Sequence, residues 1–425
     1  MDYRIYPPDG FVEATVRLPL SKSISNRALI INALTPGAAP LSDTARCDDT
    51  DAMTAALTAP DGTIDIGAAG TAMRFLTAYF AASPGRQVTL DGSERMRQRP
   101  IGQLVDALRE AGADISYTGR EGFPPLAIKG KRLKGGDIRI DGAISSQYIS
   151  ALLMVAPTMT DGLSLKISGE LPSMPYIKMT LEMMEQRGVE AVVGPDSIDI
   201  APGRYRLPAD NAIEEDWSAA SYWYEITALS AGSVALPGLS PQSLQGDARC
   251  MEIFERLGVL TERDDCGGLA LTPSPDTHSR LEIDLSEQPD LAQTLAVTAA
   301  MLGVPFRLSG LSSLKIKETD RLEALRKELD KLGISVEIER DEVLSWEGRR
   351  HPIFEMPRID TYQDHRMAMA FAPVAIFCPE IIINDIEVVS KSYPSYWDDL
   401  RAAGFTLQDA AQAPLEPITA EEEEE

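Results

Sequence analysis

The stretch "IKETDRLEALRKELDKLGISVEI", residues 316–338, reads as a helix that ends at a glycine and runs on into a strand. Asp320 followed three residues later by Glu323 has the form of a capping box, which starts the helix near Asp320 and leaves Lys317 and Glu318 in the loop before it. Leu322, Leu325, Leu329 and Leu332 mark its buried stripe. Cations beside a helix N-terminus oppose the dipole, so Lys317 and Arg321 call for something anionic. Either Glu318 and Asp320 supply it, or a ligand does.

The same amphipathic form, ending near Gly and followed by a β-like run, recurs at residues 101–117, 177–193, 251–260 and 395–407. Ahead of these lie segments of a second kind, where small polar or charged residues lead into a helix apolar on nearly all sides: "SKSISNRALIINAL" (21–34), "AAGTAMRFLTAYFAA" (68–82), "SSQYISALLMVAP" (145–157), "DWSAASYWYEITALSAG" (216–232), "PDLAQTLAVTAAMLG" (289–303) and "DHRMAMAFAPVAIF" (364–377). Helices of that kind belong in a core. Six α/β units of roughly seventy residues are too long for a solenoid and divide into two domains of three. The expected domains are 20–214 and 1–19 plus 215–414, with the N-terminal strand packing in the second and two close crossings forming a hinge near Leu20 and Glu214. The first unit is short, and a β-hairpin's worth of chain is missing before Gly70.

With 425 residues, 44% hydrophobic and 25% charged, the chain is globular and too long for one compact core. A net charge of -25 argues against nucleic acid or an anionic membrane as partner. Residues 415–425 form an acidic tail set apart from the fold. Cys47, Cys250, Cys266 and Cys378 are widely separated and the histidines form no H-E-x-x-H cluster, so reduced thiols and no metal are expected. Neither a spanning apolar run nor a signal-peptide pattern is present, and the expected location is the cytoplasm.

Helix N-termini expose unsatisfied N–H groups, and several of the six buried helices add cations or hydroxyls there, a combination that binds anions. Lys22, Ser23 and Arg27 stand at the first, with Ser23 and Arg27 on one face, as suits a phosphate monoester. Arg74 stands at the second, Ser145, Ser146 and Gln147 at the third, His365 and Arg366 at the sixth. "RMRQRPIG" (95–102) gathers Arg95, Arg97 and Arg99 before Pro100, and Arg is the residue suited to bidentate grip on carboxylate or phosphate.

Taken together, "SKSISNRALI", "AGTAMRF", "RMRQRPIG", "SSQYISALLM", "IKETDRLEAL", "DHRMAMAF" and "SKSYPSYW" closely resemble the 5-enolpyruvylshikimate-3-phosphate synthase family, in family order from about Leu20 to Phe405. The resemblance implies the two-domain enolpyruvyl transferase fold, an inside-out α/β barrel with three βαβαββ units per domain around buried helices. It implies transfer of the enolpyruvyl group of phosphoenolpyruvate to the 5-hydroxyl of shikimate 3-phosphate with release of phosphate, without cofactor, by a monomer. Carried over, shikimate 3-phosphate would meet Lys22, Ser23, Arg27, Ser145, Ser146, Gln147, Ser173, Tyr176, Asp290, Ser313 and Lys317. Phosphoenolpyruvate would meet Lys22, Gly70, Arg99, Gln147, Arg321, Arg366 and Lys391. Catalysis would fall to Asp290, near the 5-hydroxyl, and Glu318, at the methylene proton, with Lys22, His365 and Lys391. Lys317 and Arg321 flank Glu318 and favour its ionised form until phosphoenolpyruvate arrives.

Three residues depart from the family pattern: Ala68 stands for a usual Asn, Ser313 for a frequent Asn and Met174 for a common Lys. A related enolpyruvyl transferase acting on UDP-N-acetylglucosamine, and a homologue that binds phosphorylated ligands without turnover, are the competing readings.

Overall fold

The protein's computed structural model describes residues 1–142, 145–169, 173–264, 267–353 and 355–414. The acidic tail and Cys266 lie outside the described residues. The opening stretch forms the helix Arg321–Lys331 and the strand Glu337–Glu339. Leu322, Leu325, Leu329 and Leu332 are all buried. Asp320 caps the helix by accepting from the Glu323 N–H at 3.2 Å. Glu323, the return half of the expected capping box, instead grips Arg326 through both carboxylate oxygens, at 2.6 and 2.8 Å.

This helix is one part of a unit that runs Leu281–Asp284, Ala292–Leu302, Phe306–Ser309, Arg321–Lys331, Glu337–Glu339 and Val343–Trp346. Its first two strands are parallel, which requires a crossover, and the apolar helix Ala292–Leu302 provides it. The fourth strand pairs antiparallel with both the second and the third, giving the order one, two, four, three. Among the described residues the strands form five such four-stranded sheets. They are separate sheets rather than one closed barrel.

Two units borrow strands from the start of the chain. Tyr3–Tyr6 is the fourth strand of the last unit, between Ile381–Ile383 and Thr406–Asp409. Glu13–Thr15 is the first strand of the unit that resumes with the helix Trp217–Ser230, and it lies parallel to Ser233–Leu236. The chain leaves that sheet after Thr15 and returns to it at Ser233. At the two crossings Leu20 pairs with Glu215, the Ser21 N–H donates to the Glu214 carbonyl at 2.7 Å, and the Asp216 N–H donates to the Pro19 carbonyl at 2.9 Å.

Apolar side chains collect in two separate cores. One spans Ile24 to Tyr205, the other joins Ile5 to Leu18 with Trp217 to Phe405. The six apolar helices, which begin at Lys22, Gly70, Ser146, Trp217, Ala292 and His365, fill them.

The first unit departs further than its length implies. It consists of the helices Lys22–Ala33 and Asp48–Thr58, and its described residues contain no strand of a sheet. Only three residues separate Thr58 from Gly62–Asp65, which is already the first strand of the second unit. The expectation of one missing hairpin is therefore corrected to a missing sheet. No helix among the described residues is long and apolar enough to cross a membrane.

Candidate active site

The buried helices aim their N-termini at one cleft between the two cores. It encloses about 1320 Å³ of space free of protein atoms, part of it open to solvent. Lys22, Ser23, Arg27, Gly70, Arg99, Ser145, Ser146, Gln147, Ser173, Tyr176, Asp290, Ser313, Lys317, Glu318, Arg321, His365 and Arg366 all line it. Lys391 lies at an adjoining hollow that shares Arg99 and Glu318.

On the first core's side, Ser21 caps the opening helix by accepting from the Ile24 N–H at 3.4 Å. One turn on, the Arg27 guanidinium donates to the Ser23 carbonyl at 2.9 Å, to Thr180 Oγ1 at 2.7 Å and to Ser150 Oγ at 3.3 Å. It also stacks near the rings of Phe75 and Tyr176. Burial among neutral partners pulls its pKa down to about 10, so an anion at Ser23 would meet a charge otherwise uncompensated. At the second helix, a Cβ on Gly70 would sit 2.5 Å from an Arg99 terminal nitrogen and 2.8 Å from one of Arg74. Glycine there admits two guanidiniums to one helix start. Burial and the neighbouring Arg99 bring Arg74 down to about 10 as well. Ser145 caps the third helix through the Gln147 N–H, and Gln147 reaches Thr71 Oγ1 at 3.3 Å. Ser173 sits in the left-handed region at φ 63° and donates its N–H to the Ser286 carbonyl across the cleft at 2.7 Å.

The opposite wall is built around Arg321, 2% exposed and held by three carboxylates. Its Nε donates to Asp364 Oδ2 at 2.7 Å, one terminal nitrogen to Asp290 Oδ1 at 2.9 Å and the other to Glu318 Oε2 at 3.0 Å. Arg366 meets Asp290 Oδ2 at 3.1 Å and Lys317 meets Oδ1 at 3.8 Å. Burial alone would raise the Asp290 carboxyl, but Arg366, Lys317 and Arg321 outweigh it and hold it well below the usual range. Glu318 follows the same logic: burial is overcome by Lys391 at 3.5 Å, Arg321 and Arg99 at 4.0 Å. Both are ionised in the free protein. Burial, with Lys22 and Arg366, lowers His365 well below its usual range too, so it stays neutral, and neither ring nitrogen makes a hydrogen bond, although Nδ1 lies 3.6 Å from Asp364 Oδ1. Arg74 Nε, Arg99 Nε, Arg366 Nε and Ser313 Oγ are likewise buried without partners. So many free donors beside two ionised carboxylates fit an anionic guest with exchangeable protons. Among the described residues, no cluster of His, Cys, Asp and Glu has a metal-binding arrangement.

The chain matches the family described as EPSP synthase (3-phosphoshikimate 1-carboxyvinyltransferase) over residues 8–60 and 57–400. The chain belongs to the EPSP synthase family. A 3-phosphoshikimate 1-carboxyvinyltransferase of Bacteroides fragilis is 54% identical over 411 residues, which cover 96% of this chain and 99% of that protein. One from Vibrio atlanticus is 38% identical over 426 residues, covering 92% and 96%. In fold, the chain resembles an EPSP synthase from Acinetobacter baumannii with a TM-score of 0.73 at 20% identity, over 96% of this chain and 100% of that one.

Asp364, Asp49 and Asp247, at or behind the cleft of this EPSP synthase family member, escape sequence reasoning. Asp364 is fully buried, grips Arg321 and caps the sixth helix through the Arg366 N–H at 3.0 Å. Its one sequence signal is its place before an apolar helix. Asp49 lies 3.5 Å from Lys22 and 4.0 Å from Lys391, so it ties the two walls together. Asp247, raised to about 7 by burial and by Asp290, holds Ser218, which in turn receives from Arg366 at 3.2 Å. Arg95 donates to the Glu318 and Lys317 carbonyls at 3.2 and 3.3 Å, so that one of the three clustered arginines bridges the walls while Arg97 pairs with Asp91. Ala68 contributes its carbonyl, which accepts from Lys391 at 2.9 Å. A backbone group makes that link whatever the side chain.

Proposed function

We propose that this chain transfers the enolpyruvyl group of phosphoenolpyruvate to the 5-hydroxyl of shikimate 3-phosphate and releases phosphate. The observation that carries the reading is the Glu318 carboxylate, buried between Arg99 of one wall and Arg321 and Lys391 of the other. Addition at C2 of the donor needs a proton delivered to C3 and the acceptor hydroxyl relieved of its own, two opposed tasks. Glu318 takes the first. Asp290, hydrogen-bonded by Tyr176 and paired with Arg366, takes the second. An anionic donor seated on Arg99, Arg321, Arg366 and Lys391 offsets the cations that keep Glu318 ionised, and so raises its pKa when an acid is needed. Elimination then returns the C3 proton and expels phosphate.

The acceptor phosphate is assigned to Ser23, Arg27, Ser145, Ser146 and Ser173, its ring to Gln147, Tyr176, Ser313 and Lys317. Lys22 stands between both ligands, and neutral His365 donates to the donor's oxygens. Residues 20–214 carry the acceptor side, residues 1–19 plus 215–414 the donor and proton side, and the crossings at Leu20 and Glu215 are the hinge. Cations from both sides must converge on two anionic ligands, so closure depends on ligand. The protein works as a cytoplasmic monomer without cofactor.

Phosphate release from phosphoenolpyruvate plus shikimate 3-phosphate tests the reading. Release that requires shikimate 3-phosphate is expected. Release with UDP-N-acetylglucosamine instead, or binding of both ligands with no release, would replace it.

A further inference from the structure

Asp364, which grips Arg321, and His365 and Arg366, which line the cleft, follow a turn that the backbone does not adopt readily. The Asp364 N–H donates to the Thr361 carbonyl at 2.9 Å, and the two residues between, Tyr362 and Gln363, both lie in the left-handed region, at φ 54° and 58°. Turns with two left-handed central residues are ordinarily built from glycine, asparagine or aspartate. A tyrosine and a glutamine persist there only where their surroundings hold them.

What holds them is the helix Arg321–Lys331. Glu328 of that helix is fully buried, and its Oε1 accepts from the Tyr362 hydroxyl at 2.7 Å. Its Oε2 accepts from the Asp360 N–H at 3.0 Å and from Lys331 Nζ at 2.7 Å. The carboxylate therefore binds the chain on both sides of Thr361: at Asp360, just after the strand Arg358–Ile359, and at Tyr362, inside the turn. Glu328 stands about two helical turns after Arg321, on the same face and about 10 Å further along the axis. One rigid helix thus grips the segment at both ends, Arg321 through Asp364 and Glu328 through Asp360 and Tyr362. A pair with Lys331 alone would not call for a buried carboxylate, since Glu323 and Arg326 make such a pair at the surface of the same helix.

We propose that Glu328, which does not itself line the cleft, is a positioning residue for the donor side: through Asp360 and Tyr362 it fixes the left-handed turn that delivers Asp364 to Arg321, and His365 and Arg366 to the anion. This role rests on the assignment of His365, Arg321 and Arg366 to phosphoenolpyruvate. Without the Tyr362 hydroxyl bond the turn can relax toward ordinary backbone angles, and Asp364, two residues on, moves with it. Ser23, Arg27, Ser145, Ser146 and Ser173, assigned to the acceptor phosphate, belong to the other core's side and do not depend on the turn.

The test compares the full-length parent with Tyr362→Phe, Glu328→Met and the double variant by steady-state phosphate release, thermal melting and the nitrogen NMR signals of the three histidine rings. Tyr362→Phe keeps the ring, which packs against the second core, and loses only the donated bond. Its kcat/KM for phosphoenolpyruvate is expected to fall about tenfold with the KM for shikimate 3-phosphate within about twofold, and the His365 signal of the ligand-free chain is expected to move. Tyr362→Phe should add less than about twofold to Glu328→Met, because both remove the same bond. If Glu328→Met does not fold, the split between the two substrates in Tyr362→Phe decides. Parent-like kinetics beside a lower melting temperature, a loss shared equally by both substrates, or losses that multiply in the double variant would overturn the proposal. A parent that releases no phosphate would remove the functional reading, and the His365 signal, which needs no turnover, then decides the clamp: a shift in Tyr362→Phe upholds it and an unmoved signal overturns it.

Discussion

Replacing Gly70 by alanine puts one methyl group where the structure has two guanidiniums. The new Cβ would lie 2.5 Å from an Arg99 terminal nitrogen, 2.8 Å from an Arg74 nitrogen and 3.0 Å from the Arg99 Cζ. Ordinary contact between such atoms begins near 3.5 Å, so the Arg99 head group must retreat by about 1 Å. Arg74 has less freedom, because it is buried and donates to the Gly70 carbonyl at 2.7 Å. Displacement of a positioning group by about 1 Å costs up to about a hundredfold in rate, and a single weakened charge-assisted contact about 1.5–3 kcal/mol. We expect kcat/KM for phosphoenolpyruvate to fall about ten- to a hundredfold in Gly70→Ala. The KM for shikimate 3-phosphate should hold within about twofold, since Ser23, Arg27 and Ser173 are assigned to the other ligand. Gly70 does not have a positive φ, so alanine adds no backbone strain, and any drop in melting temperature should come only from the crowding of Arg74 and Arg99, about 1–3 kcal/mol. Steady-state phosphate release with each substrate varied in turn, beside a thermal melt, checks all three. A parent-like KM for phosphoenolpyruvate, or a loss shared equally by both substrates, would refute the reasoning.

Asp364→Asn removes one of three carboxylates from a buried guanidinium while leaving the helix cap intact; unfolding in denaturant should show a loss of about 3 kcal/mol, with a lower kcat, and a parent-like midpoint would count against Arg321 as the organising centre. Glu215, at the crossing, is raised by burial to about 7 from 4.5. Between those values the folded chain keeps a proton the unfolded chain has released, so this carboxyl makes stability fall as pH rises through the window. Glu215→Gln lacks that penalty, and its melting-temperature advantage over the parent should be absent below about pH 4.5, grow with pH and level off above about 7.5; an advantage independent of pH would contradict it.

Periodicity carried most of the fold. The six apolar helices and their amphipathic partners were legible because burial on all sides and burial on one stripe leave different residue patterns, as in "AVTAAML" against "RLEALRKEL". The charged start of the opening helix marks a site, and the first of its offered explanations holds in part: Glu318 offsets Arg321, Asp320 only caps the helix, and Asp290 and Asp364 supply the rest, in a cleft that still has buried donors without hydrogen-bond partners. Three things were not legible. Asp364 reaches Arg321 from 43 residues away, and no local spacing encodes a pair that only folding assembles. Glu323 had two partners within reach of its side chain, and the Arg326 guanidinium outcompeted a backbone N–H. The short first unit was countable, but residues 34–47 remain in the chain without forming strands, since a strand needs neighbours and that unit has no other strand to pair with.

Glu318 is proposed as the group that moves the C3 proton. The most direct measurement runs the reaction in deuterium oxide and follows deuterium entering C3 of the enolpyruvyl group, in the parent and in Glu318→Gln, with both substrates at saturation. The parent should incorporate deuterium at a rate comparable to phosphate release, and Glu318→Gln should lose both by at least about a hundredfold while still binding shikimate 3-phosphate. Parent-like exchange and turnover in Glu318→Gln would contradict the central claim.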